Sequence, residues 1–272
     1  MIKRFFTVLT IMLCIAALAS PEILAGAITS PVSKQQLNEY LAKNGYPSEV
    51  VEIMPYEIKL NSFAEGATFD SVVYLTDGTI SGGLSEGGPS TLAYIPNYQA
   101  WFMVENVSAP TGFTRKRITY SWAWLYKPVL WTLTDHVAIK WNDPVWYVVG
   151  TPARMFRAQS LATHYREYLN TTSSASDQWQ LQLVSFPHDL VESFVCQHCG
   201  NIYGATDYSG WVQLTLEKQG SAAIPFQVFG KYFYQSIPWI GSVTFSGLGL
   251  EVNINPTSVF HESTGLSTVV YP

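Results

Sequence analysis

From Arg117 the chain reads RITYSWAWLYK, with Ile118, Tyr120, Trp122, Trp124 and Tyr126 at one parity and Thr119, Ser121 and Ala123 at the other. Side chains alternate across a strand, so this spacing predicts a strand with one bulky, mostly aromatic face. Similar strand-favouring runs occur at 71–76, 100–105, 136–142, 145–150, 178–186, 211–217, 224–234 and 242–254. In the last of these Val243 and Phe245 share one parity, whereas Leu248, Leu250, Val252 and Ile254 take the other. A bulge at Ser246-Gly247 is the expected cause of that switch.

The stretch before residue 67 has a different period. Ser33 followed by Gln36 forms a capping box, Leu37, Tyr40 and Leu41 share a helical face, and Gly45 with Pro47 ends the helix. A second short turn runs from Ser48 through Val50, Val51 and Met54, and a third segment starts at Pro55, carries Ile58 and Phe63 and closes at Gly66. Residues 153–170 fit two readings: Met155, Ala158, Leu161, Ala162, Tyr165 and Leu169 line a helix, while the flanking strands favour extended chain. The glycine-rich run at 81–88 and the Thr/Ser run at 171–176 read as loops. Many strands with no alternating helices predict a mainly β fold, an antiparallel β-sandwich or open barrel over residues 67–272, behind a small helical segment at 28–66.

Residues 1–27 read as a signal peptide: Lys3 and Arg4, an apolar run from Phe5 to Ala19, and a small-x-small end at Ala25-Gly26-Ala27. The run is shorter than the ~20 residues that span a bilayer. Cleavage after Ala27 removes Lys3, Arg4 and Glu22 and takes the formal charge from -5 to -6. An acidic chain whose one basic cluster is Arg115 to Arg117 argues against a nucleic-acid partner, and that cluster reads as a solvated strand edge. With 47% hydrophobic, 14% aromatic and 13% charged residues, the chain has ample material for a core and rings to spare for a surface.

The segments QLNEYLAKNGYPSEVVEIM, GATF and YSWAWLYKPVLWTLTDHVAIKWND together resemble a group of secreted proteins of Gram-positive, spore-forming bacteria that share a helical Gly-Tyr-Pro segment and an aromatic-rich β region. The resemblance spans much of residues 34–145. It implies export and a β-rich body, and it implies no catalytic residue.

Candidate chemistry is sparse. Cys196 and Cys199, with His198 between them, are the only cysteines of the exported chain. Outside the cell a local disulfide is the expected state. A metal knuckle completed by His198, His188 and His261, a redox dithiol and two free thiols remain alternatives. The adjacent pairs Asp135-His136 and His188-Asp189 point to opposite faces of a strand and make no dyad. Glu105, Asp135 and Asp143 are the carboxylates to weigh for glycoside hydrolysis. No phosphate-binding glycine loop, metalloprotease helix or nucleophile elbow occurs, so neither a catalytic residue, a metal site nor a cofactor is assigned.

The aromatic face has two readings. Five bulky residues of one parity form the inner face of a sandwich, or else Trp122, Trp124, Tyr126 and Trp141 stack on a ligand such as a sugar. The sequence therefore leads to a secreted, non-enzymatic module that binds glycan, cell-wall polymer or a surface protein. A membrane-active toxin and a secreted hydrolase are the alternatives. Contact with a membrane would be made without a spanning segment.

Overall fold

The structure is a computed structural model, and it describes residues 32–76, 79–81, 98–124, 134–160, 163–170, 178–180, 182–220, 224–235, 244–246, 251–253, 260–262 and 266–271. Residues 1–27, read above as a signal peptide, together with Tyr126 and most of the two loops, lie outside the described residues. The chain divides into two compact units, Met1–Phe63 and Ala64–Pro272.

The first unit holds the helices α1 (Lys34–Lys43) and α2 (Ser48–Ile53) and nearly all of α3 (Tyr56–Ala64). Both halves of the capping box form: the Gln36 backbone N–H donates to Ser33 Oγ, and the Ser33 N–H donates to Gln36 Oε1. Leu37 and Leu41 of α1, Val50 of α2 and Ile58 of α3 are fully buried, the outcome of their helical spacing. Gly45 sits at φ 87 just beyond the end of α1, the left-handed conformation that stops a helix.

The second unit is mainly β, and its sheets are antiparallel and not closed into a barrel. Its strands are β1 (Thr68–Thr76), β2 (Thr79–Ser81), β3 (Tyr98–Asn106), β4 (Phe113–Trp124), β5 (Thr134–Trp141), β6 (Tyr147–Ser160), β7 (His164–Asn170), β8 (Gln178–Gln180) and β9 (Leu183–Asp189), followed by β10 (Ser193–Val195), β11 (Ile202–Gly204), β12 (Asp207–Gln219), β13 (Phe226–Gln235), β14 (Thr244–Ser246), β15 (Glu251–Asn253), β16 (Phe260–Glu262) and β17 (Leu266–Val270). One sheet has the order β2-β1-β3-β4-β12-β6-β7 and the other β16-β13-β5-β9-β8, with β17 also paired to β13. The ambiguous segment 153–170 is extended: β6 and β7 form a hairpin in which Met155 pairs with Leu169 and Ala158 with Arg166. Its apolar residues satisfy the sheet because Trp211 of β12 lies opposite Met155 on the other side.

The two large sheets share one core. Tyr98, Phe102, Tyr120, Trp122 and Trp124 meet Val137, Phe186, Tyr232 and Tyr234 in a continuous apolar cluster. Ring contacts cross it, as between Tyr98 and Tyr232 (centroids 5.2 Å apart) and between Trp124 and Tyr234 (5.3 Å). Two glycines allow the rings to pack this closely. A Cβ on Gly230 would lie 2.4 Å from Tyr120 and 2.7 Å from Phe102, and one on Gly210 would lie 2.6 Å from Trp122.

The basic cluster is not a solvated edge. Arg117, 1% exposed, donates through Nε to Glu105 (2.8 Å) and pairs through Nη1 with Glu65 (3.2 Å). Lys116, 2% exposed, donates to Asp70 (2.8 Å) and Asn106 (2.6 Å), and Arg115 pairs with Glu217. Their strand, β4, is central and not peripheral, so Lys116 and Arg117 are taken out of water and must meet a carboxylate, while Arg115, with a side chain 31% exposed, pairs nearer the surface.

Candidate functional site

The aromatic residues singled out for ligand stacking lie in the interior. Trp122, Trp124 and Trp141 are each 3% exposed and belong to the core cluster, so their faces are covered by protein. The sheet opposite meets them mainly with apolar and aromatic residues, His188 beside Trp122 among the exceptions, and burying the rings there is the larger gain. Trp141 is further fixed by donating its indole N–H to Trp146 O at 2.9 Å.

Cys196 and Cys199 are free thiols, the first buried and the second exposed. The expected bridge is not formed, because the turn closes by other means. The Gly200 N–H donates to Cys196 O (3.0 Å), the Cys196 N–H to Asn201 O (2.8 Å), and Gly200 takes φ 72 between β10 and β11. The Cys199 side chain, then the backbone N–H groups of Cys199 and His198, hold the Cys196 thiol below its usual pKa. His198 is turned to the Tyr165 hydroxyl (2.6 Å), and Cys199 Sγ approaches the Tyr203 hydroxyl (3.8 Å). Among the described residues no group of three or more His, Cys, Asp or Glu is placed to hold a metal ion.

The three carboxylates weighed for hydrolysis have separate structural tasks. Glu105 pairs with Arg117, Asp143 accepts from the Val145 N–H (3.0 Å), and Asp135 accepts from the Tyr232 hydroxyl. Asp135 and His136 do point to opposite faces, as adjacent strand residues must. What sequence spacing missed is that Asp135 and His188 are cross-strand partners between β5 and β9. Tyr232 joins them, since His188 Nε2 lies 3.1 Å from its hydroxyl. Burial lowers the His188 pKa to about 3, with His136 and Arg154 adding to the effect, and burial lowers that of His136 to about 4. Burial and then Asp135 raise Tyr232 well above the phenol value.

A second arrangement concerns β14 and β15, which pair with each other and with no other strand among the described residues. The expected bulge is instead a reversal of the chain. Thr244 is opposite Asn253, Phe245 opposite Val252, and Ser246 opposite Glu251. Directly opposed residues share a face. In this register an odd-numbered residue always meets an even-numbered one, so a single apolar face must switch parity between the arms. Phe245 and Val252 therefore share one face of the ladder, and the pairs Thr244–Asn253 and Ser246–Glu251 share the other.

In the chain the hairpin lies between β13 and β16. Just before it β13 pairs with β16, Gln235 opposite Phe260, and the intervening 236–259 contain Glu251 as their one charged residue. Eight residues (236–243) separate the two ladders on one arm and six (254–259) on the other.

No family model matches the chain, and no curated protein does. Among solved structures, one titled a pore forming protein is similar over 75% of this chain and 100% of its own, with 10% identity and a TM-score of 0.34. The Clostridium perfringens NetB toxin in its membrane inserted form is similar over 66% of this chain and 96% of its own, with 8% identity and a TM-score of 0.30.

Proposed function

We propose that this chain is an exported, membrane-active protein in which the β14–β15 hairpin is the element that enters the bilayer. The observation that carries this reading is the register that places Phe245 opposite Val252 and Ser246 opposite Glu251. It sorts the local sequence into one apolar and one polar face, the alternation of a strand with lipid on one side and water on the other. Continued at the same parity, 236–246 and 251–259 supply arms of 11 and 9 residues, against the ~9–11 that a tilted strand needs to cross the hydrocarbon. Pro238 lies toward the outer end of its arm, where a missing N–H costs least, and Pro256, sixth of nine in the other arm, removes one ladder hydrogen bond.

A single hairpin cannot stay in lipid, because its edge N–H and C=O groups would go unsatisfied. Several copies must close a barrel, at least about four if eight strands is the smallest barrel. Export through the 1–27 leader belongs to the same reading. The alternative of an exposed aromatic platform on Trp122, Trp124 and Trp141 loses its support from their burial. No helix among the described residues is long and apolar enough to cross a membrane, which leaves the strands as the elements to test.

The test is dye release from liposomes by the purified protein, with Val252→Arg on the apolar face and Thr244→Lys on the polar face. Release by wild type and Thr244→Lys, with loss in Val252→Arg, supports the reading. No release from any lipid composition, or equal release by both variants, overturns it.

A further inference from the structure

A small cavity opens beside Trp122, between the ends of β6, β7, β9 and β12, lined by Phe156, Tyr168, His188, Leu190 and Tyr208 among others. It offers about 20 Å³ to the centre of a water-sized molecule, enough for one small polar group. Its rim is accessible: Asp189 and Tyr168 are exposed, and Arg157 is half-buried. His188 is the one imidazole in its lining. His188 is 6% exposed, and its Nδ1 is buried with no hydrogen-bond partner among the described residues.

The protonation of that atom follows from its neighbours. The Tyr232 hydroxyl gives its proton to the Asp135 carboxylate, so its oxygen is left to accept. His188 Nε2, 3.1 Å away, must therefore be the N–H. A buried imidazole whose pKa is lowered to about 3 is neutral, and its second nitrogen is then a bare lone pair. Phe156, stacked at 4.2 Å with planes 12° apart, and Trp122, at 5.5 Å, hold the ring in that orientation. The cavity is built to receive a donor.

The donor is neutral. Arg154 already disfavours positive charge at His188, so an ammonium group seated on Nδ1 would meet the same repulsion, while Arg157 at the rim is paired with Glu167. A hydroxyl fits, on a molecule whose remainder stays outside against an exposed tyrosine ring and a carboxylate. Apolar C–H faces packed on an aromatic ring, with further hydroxyls to bond at the rim, describe a pyranose. We propose that this cavity is a sugar-binding subsite, which takes one hydroxyl of a pyranose onto His188 Nδ1 while the sugar ring rests on Tyr168. The site is independent of the hairpin and goes beyond the membrane reading: it is where the protein would recognise a glycan-bearing surface.

The experiment is a titration of the full-length exported protein, labelled with nitrogen-15, with glucose, galactose, mannose and N-acetylglucosamine in turn, following the imidazole nitrogens. The expected result is a saturable shift of His188 Nδ1 with at least one sugar. Binding is lost in His188→Phe, which keeps the stacked ring, and is weakened about tenfold in Tyr168→Ala, a change at the exposed rim. A His188 resonance that no sugar moves, leaving only a trapped water as the occupant, overturns the proposal. So does sugar binding that survives in a folded His188→Phe protein.

Discussion

Asp135 and His188 stand directly opposite each other on neighbouring strands, and the hydroxyl of Tyr232 bonds to both. An acid, a phenol and a neutral imidazole are thus linked in the middle of an aromatic core. The imidazole has a cost in acid. Its folded pKa, about 3, lies below the ~6.5 of an unfolded histidine. The unfolded chain binds the proton first, so stability falls as pH drops from about 6.5 toward 3. His136, at about 4, contributes over a similar window. Unfolding free energies from denaturant titrations should decline by a few kcal/mol across this range in wild type, on the order set by the two histidines. In His188→Phe the decline should shrink, and an unchanged slope would show that other groups govern it.

The close approach at Gly230 and Gly210 makes both positions intolerant of a methyl group. Gly230→Ala would press a Cβ on the rings of Tyr120 and Phe102, and Gly210→Ala one on Trp122 and on Met155 O. Rings packed on both sides cannot yield, so each change should destabilise by about 1–3 kcal/mol in chemical denaturation. Gly204→Ala, where a Cβ meets nothing within 4 Å, is the matched control and should stay near wild type.

The pair Arg117 and Glu105 is buried on both sides, with side-chain exposures of 1% and 0%. Glu105→Gln leaves the buried guanidinium to lean on the half-exposed Glu65 and should cost up to about 3–5 kcal/mol. The double change Arg117→Met with Glu105→Leu removes both charges and should recover much of that loss, read as a higher unfolding midpoint than either single variant. If the double variant is the least stable, the pair contributes more than its own desolvation.

Glu251 is the one charged residue of 236–259 and lies on the polar face with Ser246. In a barrel formed from several copies it would ring the lumen with negative charge and favour cations. Conductance in planar bilayers under a salt gradient should reverse its preference with Glu251→Lys. An unchanged reversal potential would place Glu251 away from the conduction path.

Local signals were legible in the chain. Ser33 and Gln36 announce α1, and the parity of Ile118 to Trp124 announces both a strand and its heavy face. Spacing cannot tell which partner a strand takes: β4 pairs with β3 and with β12, the latter more than 80 residues away in sequence. Nor can it tell whether a ring face looks at solvent or at a second sheet, which is why Trp122 and Trp141 fitted a ligand platform until Tyr232 and Trp146 were placed. The charges of Arg115 to Arg117 looked like an edge because their carboxylate partners, from Glu65 to Glu217, come from distant strands and loops. The switch at Ser246 was visible and misread. A bulge and a reversal both change parity, and only the pairing of Phe245 with Val252 separates them.

The even difference between the arms of that hairpin has a mechanical consequence. Two ladders offset by an odd number would turn one face of the ribbon over on the way from β13 to β14. With eight residues on one side and six on the other, the offset is two, and both ladders set an odd-numbered residue opposite an even-numbered one. On the membrane reading, growth of the ladder from Gln235–Phe260 toward Thr244–Asn253 would keep one parity throughout and would re-pair no strand already formed.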